Sequence, residues 1–195
     1  MLSSYTDEGY SLYVKARGGE MERQSRQAKV DTKEQLIKDL RGVDIFTGLS
    51  SYDLEQIAGI CSQRIYHAGE LCAIQGETTD ELRIINAGKV AIELRIEVAP
   101  YTQTLRITTL TGGNAFAYCS LSSLREPYEF IASGRCLGEA QIISIKASDL
   151  QRIFNERPSI ERIVMRNIGT VMCSRLRDSM TQLLCLVAEM IKQGK

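Results

Sequence analysis

The sequence predicts an α+β fold that is mainly β: an eight-stranded antiparallel β-roll, or jelly roll (double-stranded β-helix), with N-terminal helices and a long C-terminal helix. Short runs of alternating apolar and polar residues begin near Arg64 and are separated by glycines, a pattern typical of a closed roll. Helical periodicity is confined to the segments before and after these runs. The 195 residues therefore divide into a polar arm over 1–30, a roll with its N-terminal helices over 31–157, and a C-terminal helix over 158–195.

Two short helices are predicted ahead of the roll. Asp31 is positioned to cap a helix whose apolar residues lie within 36–40. Ser50 is positioned to cap a second helix, and Asp53 three residues later completes a capping-box pattern. Residues 1–30 show no sustained period, so we expect them to form a mobile or partly helical arm.

The strands of the roll are predicted from alternation and from turn residues. Gly69, Gly76 and Gly88 stand between alternating runs, where a tight turn requires a positive φ. Pro100 marks the tip of a long hairpin. The predicted strands include 70–74, 81–85, 89–96, 105–107, 130–132 and 141–145.

The chain is predicted to end in helices. Ser148 is positioned to cap a short helix through Phe154, and Pro158 to begin a long helix that ends near Met190. Apolar residues in the long helix recur at alternating steps of three and four, which is the a/d stripe of a coiled coil. Further apolar residues exceed what a single partner surface would cover, so pairing with a second copy is favoured over packing within the domain alone. The predicted homodimer interface consists of Cys173, Leu176, Met180, Leu183, Val187 and Met190.

The charge balance limits the partners that the sequence predicts. Lys and Arg number 24, as do Asp and Glu, so no overall field attracts DNA or an anionic membrane. No run approaches the roughly 20 apolar residues of a membrane span. The N-terminus lacks the basic and apolar regions of a signal peptide. We therefore expect a cytoplasmic protein with neither a membrane nor a direct nucleic-acid partner.

Residue usage also limits the chemistry. His67 is the only histidine, which excludes metal sites built on several imidazoles, and we expect it to be a solvated turn residue. No P-loop, G-x-S-x-G or paired-carboxylate motif occurs. The six cysteines are scattered without a C-x-x-C pair, so they are expected to be buried small hydrophobes in a reducing compartment. The sequence predicts no enzyme, no catalytic residue and no metal.

Three segments carry a resemblance to a known family. Residues 45–50 are I-F-T-G-L-S, residues 67–77 are H-A-G-E-L-C-A-I-Q-G-E, and residues 82–90 are L-R-I-I-N-A-G-K-V. In this order they resemble the cyclic-nucleotide-binding domain family, of the Crp-Fnr and protein kinase A regulatory-subunit type. The resemblance covers about residues 38–180. It implies a sensor domain that binds cyclic AMP or cyclic GMP.

The resemblance also implies where the ligand lies. In this family a phosphate-binding cassette offers backbone amides to the phosphate, a glutamate to the ribose, and an arginine from the following strand to the phosphate. Residues 112–121, the cassette segment, correspond to this motif here. The candidate ligand-binding residues are Gly113, Asn114, Phe116, Ala117, Tyr118, Cys119, Ser120, Phe130, Ile131 and Ala132.

Several cassette positions depart from the family. Ala117 stands at the glycine, Tyr118 at the ribose-binding glutamate and Phe130 at the arginine. Losing a charge-assisted phosphate contact costs about 2–3 kcal/mol, so Tyr118 and Phe130 disfavour cyclic AMP or cyclic GMP. They would instead fill the pocket or line one for an apolar or aromatic ligand. Arg125 is a second-choice cation at the entrance, whereas strand alternation counted from Phe130 is expected to turn Arg135 away.

Three functions follow as hypotheses. The leading one is a non-enzymatic regulatory or sensor module with weak or altered ligand specificity that signals through its C-terminal helix. The first alternative is an interaction and dimerisation protein whose pocket is filled. The second is a fragment of a Crp-Fnr-like transcription regulator; such regulators carry a helix-turn-helix after the long helix, but the sequence ends at Lys195 without one.

Overall fold

A computed structural model of the protein describes residues 33–117 and 128–193, so the predicted arm over 1–30 and the predicted cap at Asp31 lie outside the described residues. Helices flank the strands on both sides in sequence. They are α1 (Lys33–Arg41), a 3₁₀-helix (Asp44–Phe46), α2 (Ser51–Ala58), α3 (Ala147–Glu156) and α4 (Pro158–Gln193).

One of the two predicted helix caps ahead of α2 and α3 is present in the structure, and the other is not. The capping box of α2 is confirmed: Ser50 Oγ accepts from the Asp53 N–H, and Asp53 Oδ2 accepts from the Ser50 N–H, each at 3.2 Å. The predicted cap at Ser148 is wrong, because α3 already begins at Ala147. Lys146 is its N-cap residue and contributes no side-chain bond. The α3 helix is held instead by burial of its apolar face.

The strands form the predicted antiparallel roll. Two four-stranded sheets have the orders β1-β10-β4-β7 and β2-β9-β5-β6, and β3 pairs with β8 as a separate two-stranded ribbon. The eight-stranded roll is thereby confirmed, with the ribbon as an addition. The strands are β1 (Cys61–Tyr66), β2 (Leu71–Ala73), β3 (Thr78–Thr79), β4 (Glu81–Ala87), β5 (Lys89–Val98), β6 (Tyr101–Thr111), β7 (Ala115–Phe116), β8 (Tyr128–Glu129), β9 (Ser133–Cys136) and β10 (Ala140–Lys146).

One predicted strand is displaced along the chain. Residues 130–132 connect β8 to β9 and are not a strand themselves. Phe130 is held by the turn after β2, because its N–H donates to the Glu77 carbonyl at 2.9 Å and its carbonyl accepts from the Gly76 N–H at 2.8 Å. The strand begins only at Ser133 and contains Gly134, a residue that weakens a sequence-based strand prediction.

The buried apolar residues form two clusters on opposite faces of the first sheet. On β4, Leu82 and Ile84 face the helices, and Ile85 faces the second sheet. This division follows strand alternation, which places residues 82 and 84 on one face and residue 85 on the other; Ile84 and Ile85 are both buried because both faces of the sheet are covered. We call the cluster between the sheets the roll interior; its buried residues are Cys72, Ala73, Ile85, Val90, Leu110, Phe116, Phe130, Cys136, Ala140 and Ile142.

Helix α4 is buried only at its beginning. Ile160, Val164 and Ile168 pack into the helix-side cluster. Farther along, Leu176 is 63% exposed and Leu183 is 61% exposed. Met180 is likewise exposed, as is Cys173, whereas the side chains of Val187 and Met190 lie outside the described part. The predicted interface stripe is therefore exposed wherever it is described.

The cysteines divide by environment. Cys72 and Cys136 are buried in the roll interior, as expected, but Cys173 and Cys185 are exposed on α4. None of the helices in the described ranges is both long and apolar enough to cross a membrane.

Candidate functional site

The cassette segment opens with a turn that its glycine makes possible. Gly113 has φ +88°, and a Cβ at this position would lie 2.9 Å from the Gly42 carbonyl oxygen. Its own carbonyl accepts from the Asp44 N–H at 2.9 Å. Asn114 closes the turn, because its Oδ1 accepts from the Thr111 N–H at 3.2 Å. Both predicted site residues thus shape the turn that leads into β7.

Ala117 keeps a glycine-like backbone conformation. Phe116 ends β7 with its side chain buried in the roll interior, and Ala117 follows with φ +61°. This left-handed region costs an alanine about 1–2 kcal/mol, because its Cβ approaches the neighbouring carbonyl. The chain therefore turns here as a glycine would, although the glycine of the resembled family is absent.

This strain predicts a stabilising substitution. Ala117→Gly should raise the free energy of unfolding by about 0.5–1 kcal/mol, the left-handed strain less the entropy that glycine gains in the unfolded chain. Urea denaturation followed by circular dichroism measures it. Ala115→Gly is the matched control: Ala115 is fully buried in β7 without a positive φ, so this change should lower stability. Equal losses in both variants would contradict the strain at Ala117.

A polar cluster joins the cassette segment to the 3₁₀-helix and to α4. Asp44 Oδ1 accepts from the N–H of Ile45 at 2.8 Å and from that of Ala115 at 3.4 Å. Arg175 Nη2 donates to the Ala115 carbonyl at 3.0 Å and lies 4.0 Å from Asp44 Oδ2. Burial raises the pKa of Asp44, and the two N–H donors and Arg175 oppose that rise. The long helix therefore contacts the backbone two residues before Ala117.

Asn167 connects the same helix to the 3₁₀-helix just over two helical turns before Arg175. Its Nδ2 donates to the carbonyls of Ile45 at 3.1 Å and Thr47 at 2.8 Å. Together Asn167 and Arg175 fasten α4 to the 3₁₀-helix and to β7. Neither residue was a sequence-predicted site residue. No periodic pattern distinguishes them from other polar residues of a long helix.

Arg83 is the cation that sequence reasoning missed. It lies on β4 and shares a strand face with Ile85, so its side chain enters the roll from the first sheet. Its guanidinium carbon is 5.2 Å from the centre of the Phe130 ring, and Nη1 donates to the Cys72 carbonyl on the opposite sheet. Strand alternation counted from Ile85 also places Arg83 toward the roll interior, whereas the two candidate cations predicted from the sequence, Arg125 and Arg135, both follow the cassette segment.

Two carboxylates lie near this arginine. Glu81 Oε2 is 3.6 Å from Arg83 Nη2, beyond ordinary hydrogen-bond distance. Burial raises the pKa of Glu77, and the positive charge of Arg83 opposes that rise. Arg83 is 20% exposed and its Nε is buried without a hydrogen-bond partner among the described residues. The guanidinium thus has donor capacity that its protein surroundings leave unused.

The remaining predicted residues are dispersed. Phe130 is buried, whereas Ile131 beside it is 74% exposed and Ala132 is half-buried. Arg135 points away from the roll interior, as expected, although its strand starts later than the prediction assumed. Its Nε donates to Glu93 Oε2 at 2.8 Å. The predicted residues Tyr118, Cys119 and Ser120, and the second-choice cation Arg125, lie outside the described residues.

The buried thiol of Cys72 is a poor nucleophile. A hydrogen bond with Cys136, together with burial, raises the pKa of the Cys72 thiol. The same thiol donates to the Gly134 carbonyl at 3.4 Å. A thiol held in this way stays protonated, so its contribution is packing.

Three solved structures are similar to this chain in fold. A cyclic-nucleotide-binding domain from Methylobacillus flagellatus is 15% identical, with a TM-score of 0.65 over 78% of this chain and 82% of that chain. The catabolite activator protein of Thermus thermophilus is 24% identical, with a TM-score of 0.57 over 74% of this chain and 63% of that chain. The regulatory domain of Toxoplasma gondii PKA, solved with cAMP, is 14% identical, with a TM-score of 0.58 over 71% of this chain and 50% of that chain.

Sequence comparison adds one relative. Glutaminase 1 of Bradyrhizobium diazoefficiens is 25% identical over 132 residues, which are 68% of this chain and 20% of that protein. The chain thus spans about a fifth of the length of this relative. No protein-family model matches the sequence. The structural neighbours and the two-sheet topology together establish that this chain has the fold of the cyclic-nucleotide-binding domains.

Proposed function

We propose that this chain is a non-enzymatic regulatory module that binds a small ligand in the roll and signals through its C-terminal helix. The observation that carries the proposal is the bond from Arg175 on α4 to the Ala115 carbonyl, 3.0 Å long, at the start of the cassette segment. A change in the backbone at Ala115 has to move Arg175 or break this bond. This hydrogen bond would couple the cassette segment to α4, and regulation requires such a link between the ligand site and the part that signals.

The ligand is proposed to differ from the ordinary one of this fold. A structural neighbour, the Toxoplasma PKA regulatory domain, was solved with cAMP. Phe130 is the residue that the sequence resemblance aligns with the phosphate-binding arginine of the family, and its ring is buried under Arg83. Cyclic AMP and cyclic GMP should therefore bind weakly. The interior is apolar apart from Arg83 and its neighbours.

The output is proposed to be the geometry of a homodimer. The described part of the stripe on α4 exposes Leu176, Met180 and Leu183 in succession on one face. A single exposed leucine is ordinary on a protein surface, but a continuous apolar face on a projecting helix favours pairing. A second copy of the same helix supplies a matching face.

A catalytic role has little support. The neighbours named above are a binding domain, an activator protein and a regulatory domain. The glutaminase is named as an enzyme, but this chain matches only a fifth of it. The only histidine, His67, is exposed in a turn, and the Cys72 thiol is buried with a raised pKa. We therefore propose binding without chemistry.

The coupling contact gives a direct test. Arg175→Met should speed amide exchange within 44–46 and 113–117 roughly 10-fold, because the Ala115 carbonyl and Asp44 lose their shared cation. Hydrogen–deuterium exchange with mass spectrometry measures it. Arg177→Met removes an exposed arginine two residues away on the same helix and is the matched control. Unchanged exchange in Arg175→Met would overturn the proposed route between helix and cassette.

A further inference from the structure

The guanidinium of Arg83 stands in an unusual position for a charged group. Strand alternation and its contacts place it at the roll interior, between Cys72 of the second sheet and the Phe130 ring. Desolvating a charge is expensive unless its hydrogen bonds are met. Packing alone does not require a cation here, because the surrounding buried residues are apolar.

The contacts of Arg83 hold its guanidinium in place but leave some of its hydrogen-bond donors without an acceptor. Nη1 has a carbonyl acceptor at Cys72, but the closest carboxylate oxygen, on Glu81, is 3.6 Å from Nη2, and Nε has no acceptor among the described residues. An arginine carries five donors in a planar fork that suits an oxyanion. The Phe130 ring, whose centre is 5.2 Å from the guanidinium carbon, accepts no hydrogen bond in its plane.

The position of Arg83 also connects it to the cassette segment. In the β4–β7 ladder, Arg83 is paired with Phe116, the residue immediately before the left-handed Ala117. An anion at the guanidinium would thus lie beside the turn of the cassette, two residues from the carbonyl that Arg175 contacts. Phe116, which pairs with Arg83 across the ladder, and Ala115, whose carbonyl Arg175 contacts, are adjacent residues of β7.

We infer that Arg83 is the anion-binding residue of the roll, and that the ligand is a small organic oxyanion, a carboxylate or a phosphate ester, held against Phe130. The inference rests on the proposed function of the roll as a ligand site. The cation comes from β4 instead of the segment that follows the cassette. The ligand must bring its charge to a different wall of the interior, so its shape differs from that of a cyclic nucleotide bound in the ordinary way.

The test compares charged and neutral probes of similar size. Benzoate and phenyl phosphate represent the two oxyanions, benzyl alcohol is their neutral counterpart, and cyclic AMP represents the phosphodiester. Calorimetric titration of the full chain should show at least one anion binding at millimolar concentration or tighter, roughly 10-fold or more ahead of benzyl alcohol. Benzoate against phenyl phosphate distinguishes carboxylate from phosphate ligands.

Variants then assign the preference to a residue. Arg83→Met should lose the preference for anions by roughly 10- to 100-fold, and Arg83→Lys, which keeps the charge but not the fork, should retain part of it. Arg152→Met removes a cation that is 63% exposed on α3 and should change nothing. Circular dichroism and melting establish that each variant is folded; if Arg83→Met does not fold, Arg83→Lys carries the comparison.

The outcomes separate the inference from the proposed function. An anion preference that persists in Arg83→Met, or in Arg83→Lys at full strength, would overturn the role of Arg83. Equal binding of benzyl alcohol and both anions would overturn the oxyanion class while leaving a ligand site in the roll. If no probe binds at millimolar concentration, the ligand class is wrong, and the helix–cassette coupling still depends on the exchange measured in Arg175→Met.

Discussion

Replacing Gly88 by alanine should destabilise the roll by about 3 kcal/mol or more, a large part of the stability of a domain of this size. Gly88 links β4 to β5 with φ +90°. A Cβ at this position would lie 2.4 Å from the Glu139 carbonyl oxygen and 2.8 Å from the Ala140 Cα. These are backbone atoms at the start of β10, so they cannot move without shifting the strand at the centre of the first sheet.

Gly48 provides the matched control. It has the same φ of +90°, but a Cβ there would meet nothing within 4 Å. Gly48→Ala should therefore cost only the left-handed strain of about 1–2 kcal/mol. The entropy that alanine removes from the unfolded chain is similar in both variants. The difference between them, about 1–2 kcal/mol, measures the contact with β10.

Urea denaturation followed by far-ultraviolet circular dichroism gives both free energies; the chain has no tryptophan to report by fluorescence. Equal losses at Gly48 and Gly88 would contradict the close approach of Gly88 to Ala140. If Gly88→Ala lowers the urea concentration at the midpoint of unfolding without changing the dependence of the free energy on urea, the substitution acts on the native state and not on the compactness of the unfolded chain.

The turns were predictable because their chemistry is local. The predicted positive φ is present at Gly69, Gly76 and Gly88, and Ser50 caps α2 through a residue three positions away. Each of these features depends on neighbours within a few residues. The long helix from Pro158 was predictable for the same reason, since its period repeats over many turns.

The contacts of the candidate site depend on distant parts of the chain. Alternation along β4 places Arg83 on the interior face, but its contact with Phe130, 47 positions away, is not a local feature of the sequence. Arg175 reaches Ala115 across 60 positions. The strand that begins at Ser133 was predicted too early because it contains Gly134, which has a low strand propensity. Glycine fits at this position because a Cβ on residue 134 would lie 3.1 Å from Cys72 Sγ.

Substituting two leucines of the exposed stripe should dissociate the proposed homodimer. Leu176 and Leu183 lie seven positions apart on one face of α4 and are 63% and 61% exposed. Burying a leucine is worth about 1.5–3 kcal/mol, and each variant chain loses two. Leu176→Glu with Leu183→Glu also brings like charges together. The dissociation constant should therefore rise more than about 1,000-fold.

The control places the same charges on the opposite face. Ser174 and Thr181 are also exposed and also seven positions apart, but the helical turn directs them away from the stripe. Ser174→Glu with Thr181→Glu should leave association unchanged. Sedimentation equilibrium of the full chain measures all three proteins. A monomeric wild-type chain, or equal weakening by both double variants, would contradict pairing through this face. Loss confined to the leucine pair would place dimer contact on the helix that Arg175 connects to the cassette segment.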